Sequence, residues 1–268
     1  MDSRRLRSRM MPAGQAHAPS DSEAIVEAIR LVVADFDDRP TNTVSGRGGR
    51  TFSFFPTAVT DNIPPLSHAL SEAICLLSRL HIEQAASATL GVGEEDRGAM
   101  ITADILRQYR LPRTLARWSP SGAPGEVAVD IANEYLADGT TQLYLNGVRP
   151  GDKILLIDDL ISTGGTLVAL ARAISLAGGE VIEIFTIGEK TENNGRAFVS
   201  GEVGLSIKTL IATELIDRGG GPRSRVRHVN LGCIDQSCFE MVARHFPPGF
   251  CRLGSGTYTV TCSVAKAG

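Results

Sequence analysis

No apolar run in this sequence approaches the ~20 residues that a bilayer-crossing helix needs, so no membrane partner is expected. There is no basic excess either. Lys and Arg total 27 against 30 Asp and Glu, for a net charge of −3 and a pI near 6.0. That balance argues against a nucleic-acid surface as the chain's main business. The arginines at 4, 5, 7 and 9 are not followed by the apolar segment of a secretory signal. Residues 1–20, rich in Arg, Ser, Pro and Ala, read as a disordered extension rather than an Arg/Ser-rich transit peptide. The five cysteines are an odd number with no Cys-x-x-Cys spacing. They point to reduced thiols in the cytoplasm and give little basis for a zinc site.

What the chain does have is enough apolar material for a substantial core. With 268 residues and 43% hydrophobic content, it can form one large domain or one domain with appendages. The most informative stretch is 153–166. Ile154, Leu155, Leu156 and Ile157 form a run of the kind buried on both faces of a parallel sheet. Asp158 and Asp159 follow at its carboxyl end. Then comes the turn Ser162, Thr163, Gly164, Gly165, Thr166, and then Leu167, Leu170, Ala171, Ile174 and Ala177 at helical spacing, closed by Gly178 and Gly179. A strand, a small-residue turn and a helix N-terminus together form a phosphate cradle. The acidic pair sets it apart from nucleotide loops that end in Gly-Lys-Ser/Thr. Carboxylates beside such a cradle suit a sugar phosphate, because they accept hydrogen bonds from vicinal ribose hydroxyls.

This stretch resembles the motif with which type I phosphoribosyltransferases bind 5-phosphoribosyl 1-diphosphate (PRPP), most of all in the members acting on adenine and xanthine. The resemblance extends over about residues 52–213. It implies an enzyme that joins PRPP to a nitrogenous base, with adenine the leading acceptor, and releases pyrophosphate. Asp158 and Asp159 would then hold the ribose hydroxyls, and Ser162, Thr163, Gly164, Gly165 and Thr166 the 5-phosphate. Glu95, Asp96, Arg97 and Gly98 resemble the family's pyrophosphate loop, where Arg97 contacts pyrophosphate oxygens bidentately. Mg²⁺ is the implied cofactor, held mainly by PRPP and water rather than by dedicated protein ligands. A homodimer is the expected assembly.

Other parts of the chain fit this expectation less closely. The family's second core strand commonly ends in Arg-Lys, and here it reads Arg117-Trp118. Arg117 remains a pyrophosphate candidate. Trp118 either alters leaving-group contact or acceptor choice, or simply packs under a loop. Residues 119–142 read as a flap with a β-hairpin base. Glu134-Tyr135 sits where adenine phosphoribosyltransferases carry a Glu-Tyr pair, so Glu134 is either the general base for the acceptor's ring proton or a surface residue of the hairpin.

The expected architecture is α/β, a mostly parallel five-stranded sheet with strands near 88, 113, 154, 181 and 207 and helices between the first four. Before it come an amphipathic helix ending near Phe36, a hairpin over 44–55 and a helix over 66–80. Residues 21–213 form the core domain, with 21–65 as its hood. Residues 214–268, with a helix over 237–245, a strand over 258–264 and a basic patch at 218–227, form an extension of unassigned role. The alternative reading is a non-catalytic regulator that senses PRPP or a purine, for which the tail's arginines are the only support.

Overall fold

The structure, a computed structural model, describes residues 19–45, 51–132, 140–217 and 219–254. The first helix, α1 (Pro19–Phe36), buries Ile25, Ile29, Val32 and Phe36, one stripe at helical spacing. β1 (Asn42–Ser45) and β2 (Thr51–Phe54) pair antiparallel, and the short α2 (Ala58–Asp61) follows. Asp35 ties this hood to α1 by accepting the N–H groups of Ala58 at 2.9 Å and Val59 at 3.2 Å. After α3 (His68–Ser78) come β3 (Leu90–Glu94), α4 (Ala99–Gln108) and β4 (Arg113–Ala116). A hairpin of β5 (Val127–Ala132) and β6 (Thr140–Leu145) precedes β7 (Lys153–Ile161) and α5 (Gly165–Leu176). The chain continues with β8 (Glu180–Lys190), α6 (Gly195–Val203), β9 (Ile207–Asp217), β10 (Pro222–Asn230), α7 (Gln236–Ala243) and β11 (Cys251–Arg252).

The five expected strands are present as β3, β4, β7, β8 and β9, all parallel. The sheet is wider than expected, however. Its order is β11-β10-β9-β8-β7-β3-β4, so seven strands replace five. β10 joins antiparallel to β9, and β11 lies parallel to β10. The expected domain boundary at 213 falls inside β9. The hairpin expected over 119–142 is present as β5–β6, and among the described residues it lies between β4 and β7 in place of a helix. Helix α6 lies between β8 and β9, whereas helices were expected only between the first four strands.

β7 is buried on both faces. Ile154 and Leu156 pack with α5 and the hairpin, while Leu155 and Ile157 pack with α1, α3 and α4. This alternation explains the unbroken apolar run, since both pleat faces have a helical layer to cover them. The chain leaves β3 outward to β4 and then returns to β7 on the other side of β3. α4 and α5 therefore cover opposite faces, and their N-termini diverge at the carboxyl ends of β3 and β7. A crevice at such a reversal is where open α/β sheets bind ligands.

Candidate active site

A cavity of about 420 Å³ opens at that reversal, within the size range of small-molecule sites. Its floor is the end of β7. Asp158 and Asp159 line it with only 8% and 5% of their surface exposed. The Asp159 N–H donates to Asp158 Oδ1 at 3.0 Å, and Leu160 N–H to Asp159 Oδ1 at 2.6 Å. Asp159 Oδ2 is buried with no hydrogen-bond partner among the described residues. Burial is the main force raising both acids, joined for Asp158 by the charges of Asp159 and Glu94. Asp158 stands well above the usual carboxylate range, and Asp159 is raised to about 7 by burial and then Glu94.

Ser162 through Thr166 form one wall. The first amides of α5, those of Gly165, Thr166 and Leu167, have no intrahelical acceptor, and all three residues line the cavity. Gly164 takes φ 89°, where a side chain would be strained, and a Cβ there would come within 2.5 Å of Val199 Cγ2 on α6. Helix α6 and the turn before it brace the cradle, and Asn193 Nδ2 donates to Ser162 Oγ at 2.7 Å.

The opposite wall is the end of β3 and the loop after it. Gly98 (φ 69°) caps α4, and a Cβ on it would lie 2.6 Å from Asp159 Cβ, so only glycine lets the loop sit against the acidic pair. Arg97 lines the cavity, 3.3 Å from Asp61 Oδ1 and with its guanidinium 5.2 Å from the Phe54 ring centre. Glu95 and Arg117 stand outside the lining. Glu95 accepts the Trp118 backbone N–H at 2.8 Å and lies 3.7 Å from Arg117, whose backbone pairs with Tyr144 of β6. Arg97 is thus brought to the acidic pair and Arg117 is not. Glu134 and Tyr135 lie outside the described residues.

Two charged lining residues carry no signal in the sequence that marks them as part of the site. Glu94 directly precedes the charged segment 95–98 but ends β3 with 6% exposure. Lys190 lies beyond the apolar pattern of β8 but ends that strand with 4% exposure, its Nζ donating to Ser53 O at 2.7 Å and lying 5.4 Å from the Phe55 ring centre. Burial lowers its pKa. Extending β8 past Gly188 would have put Lys190 at the carboxyl end of a central strand, where ligand contacts gather.

No protein-family profile matches the chain. A hypoxanthine/guanine phosphoribosyltransferase of Methanobacterium lacus is 31% identical over 170 residues, covering 62% of this chain and 84% of that protein. The chain belongs to the type I phosphoribosyltransferase family. A second relative of the same name, from Methanocella arvoryzae, is 29% identical to this transferase over 190 residues, 70% of its chain and 90% of the relative. The fold is shared with solved adenine phosphoribosyltransferases. That of Rhodothermus marinus superposes with a TM-score of 0.51 at 23% identity, over 73% of this transferase and 99% of that chain. That of Trypanosoma brucei, in complex with AMP, pyrophosphate and ribose-5-phosphate, gives 0.52 at 19%, over 69% and 79%. The transferase is therefore an enzyme of the glycosyltransferase class.

Proposed function

We propose that this enzyme transfers the 5-phosphoribosyl group of PRPP to a 6-oxopurine and releases pyrophosphate. The observation that carries the reading is the convergence, in one cavity, of the acidic pair, the Ser162–Thr166 cradle, Arg97 and Lys190. The cradle's amides and hydroxyls take the 5-phosphate. The carboxylates of Asp158 and Asp159 accept the ribose hydroxyls, and Arg97 neutralises charge that builds on the departing pyrophosphate. Lys190 is a donor with no acceptor capacity. It suits the carbonyl oxygen of hypoxanthine or guanine and offers nothing to the amino group of adenine. The names of the relatives support the same preference, which replaces adenine as the leading acceptor.

The chain's residues fit the implied Mg²⁺. Asp159 Oδ2 is a buried oxygen of the cavity lining with no hydrogen-bond partner among the described residues. No group of three candidate ligands occurs among the described residues, so substrate oxygens and water would complete the coordination. When bound, the ion supplies charge neutralisation at the diphosphate. Three arginines of the tail's basic patch are held in ion pairs, Arg223 with Asp38 and Arg225 and Arg227 with Glu214, which favours the catalytic reading over the regulator alternative; Arg218 lies outside the described residues.

A pyrophosphate-release assay with PRPP and Mg²⁺ against hypoxanthine, guanine, xanthine and adenine tests the reading. Turnover with a 6-oxopurine well above that with adenine is expected. Preference for adenine removes the role given to Lys190, and no release with any purine removes the function.

A further inference from the structure

Glu94 fits a diphosphate-binding site poorly. A leaving-group subsite should gather positive charge, yet this buried carboxylate stands on its wall. Its contacts are specific. Oε1 accepts the Arg97 backbone N–H at 2.6 Å, and Oε2 accepts the Asp96 N–H at 3.1 Å and the Trp118 indole Nε1–H at 2.7 Å. Two successive amides and an indole form a concave set of neutral donors, the kind of nest that takes an anion. Holding a carboxylate there is unfavourable on two counts. Burial raises the Glu94 pKa even against these three hydrogen bonds, and its charge pushes up the acids beside it. All three donors belong to the loop after β3 or to Trp118, which stands where the family commonly has a lysine.

We infer that Glu94 is an internal occupant of the diphosphate subsite: its carboxylate holds the Asp96 and Arg97 amides and the Trp118 indole until the substrate's diphosphate oxygens take the same donors. Glu94 thereby sets the affinity of that subsite. Two anions cannot share one nest at close range, so diphosphate entry and Glu94 departure are one exchange. Arg97, whose backbone N–H is one of these donors, also lines the cavity, where its guanidinium pairs with Asp61. The inference rests on the phosphoribosyltransferase reading of the cavity.

Trp118 is the chain's one tryptophan, so its fluorescence reports this site alone. Inorganic pyrophosphate with Mg²⁺ is titrated into the parent and into Glu94→Gln, following both Trp118 emission and heat. Gln keeps the shape but turns an NH₂ group toward a set of donors and cannot satisfy all three. Pyrophosphate is expected to change the parent's emission at saturation and to bind the variant at least tenfold more tightly, about 1.4 kcal/mol. Equal or weaker binding to the variant overturns the inference and makes Glu94 a brace of the loop. Calorimetric binding to the parent with unchanged emission overturns it too, and decides the matter alone if the variant does not fold. Absence of binding to either protein removes, along with it, the proposed use of this cavity for PRPP and pyrophosphate.

Discussion

Replacing Asp158 or Asp159 by Asn keeps the side chain's shape and removes its charge, so β7 should survive either change. Hydrogen bonds to a charged group are worth roughly 1.5–3 kcal/mol. Losing one from a ribose hydroxyl should weaken PRPP binding or turnover by about 10- to 100-fold. The double variant should lose more, though not additively, because both acids act on one sugar. Calorimetry with PRPP and Mg²⁺ on thermally matched proteins measures this, and unchanged affinity and turnover in the double variant would remove the assignment. The same acids make stability depend on pH. Asp159 is raised in the fold from its ordinary 3.8 to about 7, so the folded state binds more protons than the unfolded chain between those values. Its contribution is full at low pH and is lost as pH rises through about 7. His81 and His228, both lowered to about 4 mainly by burial, pull the opposite way. The parent and Asp159→Asn must therefore be compared. The ligand-free variant should melt above the parent at pH 8, with the gap closing toward pH 4. A gap that stays constant or reverses refutes the buried-acid account.

At the scale of elements, the turn between β7 and α5 is the most constrained. Gly164→Ala places a Cβ at φ 89° and 2.5 Å from Val199 Cγ2, with left-handed strain alone costing roughly 1–2 kcal/mol. The turn or α6 must shift, so PRPP affinity should fall and the melting temperature drop by several degrees, about 2–4 °C per kcal/mol. A variant that melts and binds as the parent does would show the cradle to be adaptable. This element was legible in the sequence because its signals are local: an apolar run, two acids, small residues and a helical stripe in one stretch. The apolar pattern of β8 stops at Ile187, because Gly188, Glu189 and Lys190 interrupt it. Those residues stay in the strand through distant partners, Arg196 for Glu189 at 3.2 Å and the Ser53 carbonyl for Lys190. Helix α6 went unseen because Gly195 and Gly201 blur its pattern, and Gly195 is needed where the backbone meets Ser162. Glu94 went unseen for a related reason. An acid at a strand end reads as solvated until the Trp118 indole, 24 residues later, covers it.

Over the whole molecule, the sheet's far edge comes from the stretch that reads as an extension. We propose that residues 219–254 are integral to the transferase fold rather than an appendage. β10 covers the edge of β9 from Ile211 to Asp217. Val226, Val229, Leu231, Ile234 and Val242 are buried in the same core as Ile29 of α1 and Leu77 of α3. The Cys233 N–H donates to the Leu80 carbonyl at 2.7 Å, locking the chain after β10 to the end of α3. Burying each of those aliphatic side chains contributes roughly 1.5–3 kcal/mol, and the five together rival the whole net stability of a domain, about 5–15 kcal/mol. Removing them also uncovers a long strand edge able to pair with other chains. A protein ending at Asp217 should therefore fail to give a cooperative thermal transition and should aggregate at concentrations where the full chain stays soluble. If the shortened protein instead melts cooperatively and keeps its PRPP affinity, β10, α7 and β11 are an addition to a core that stands without them.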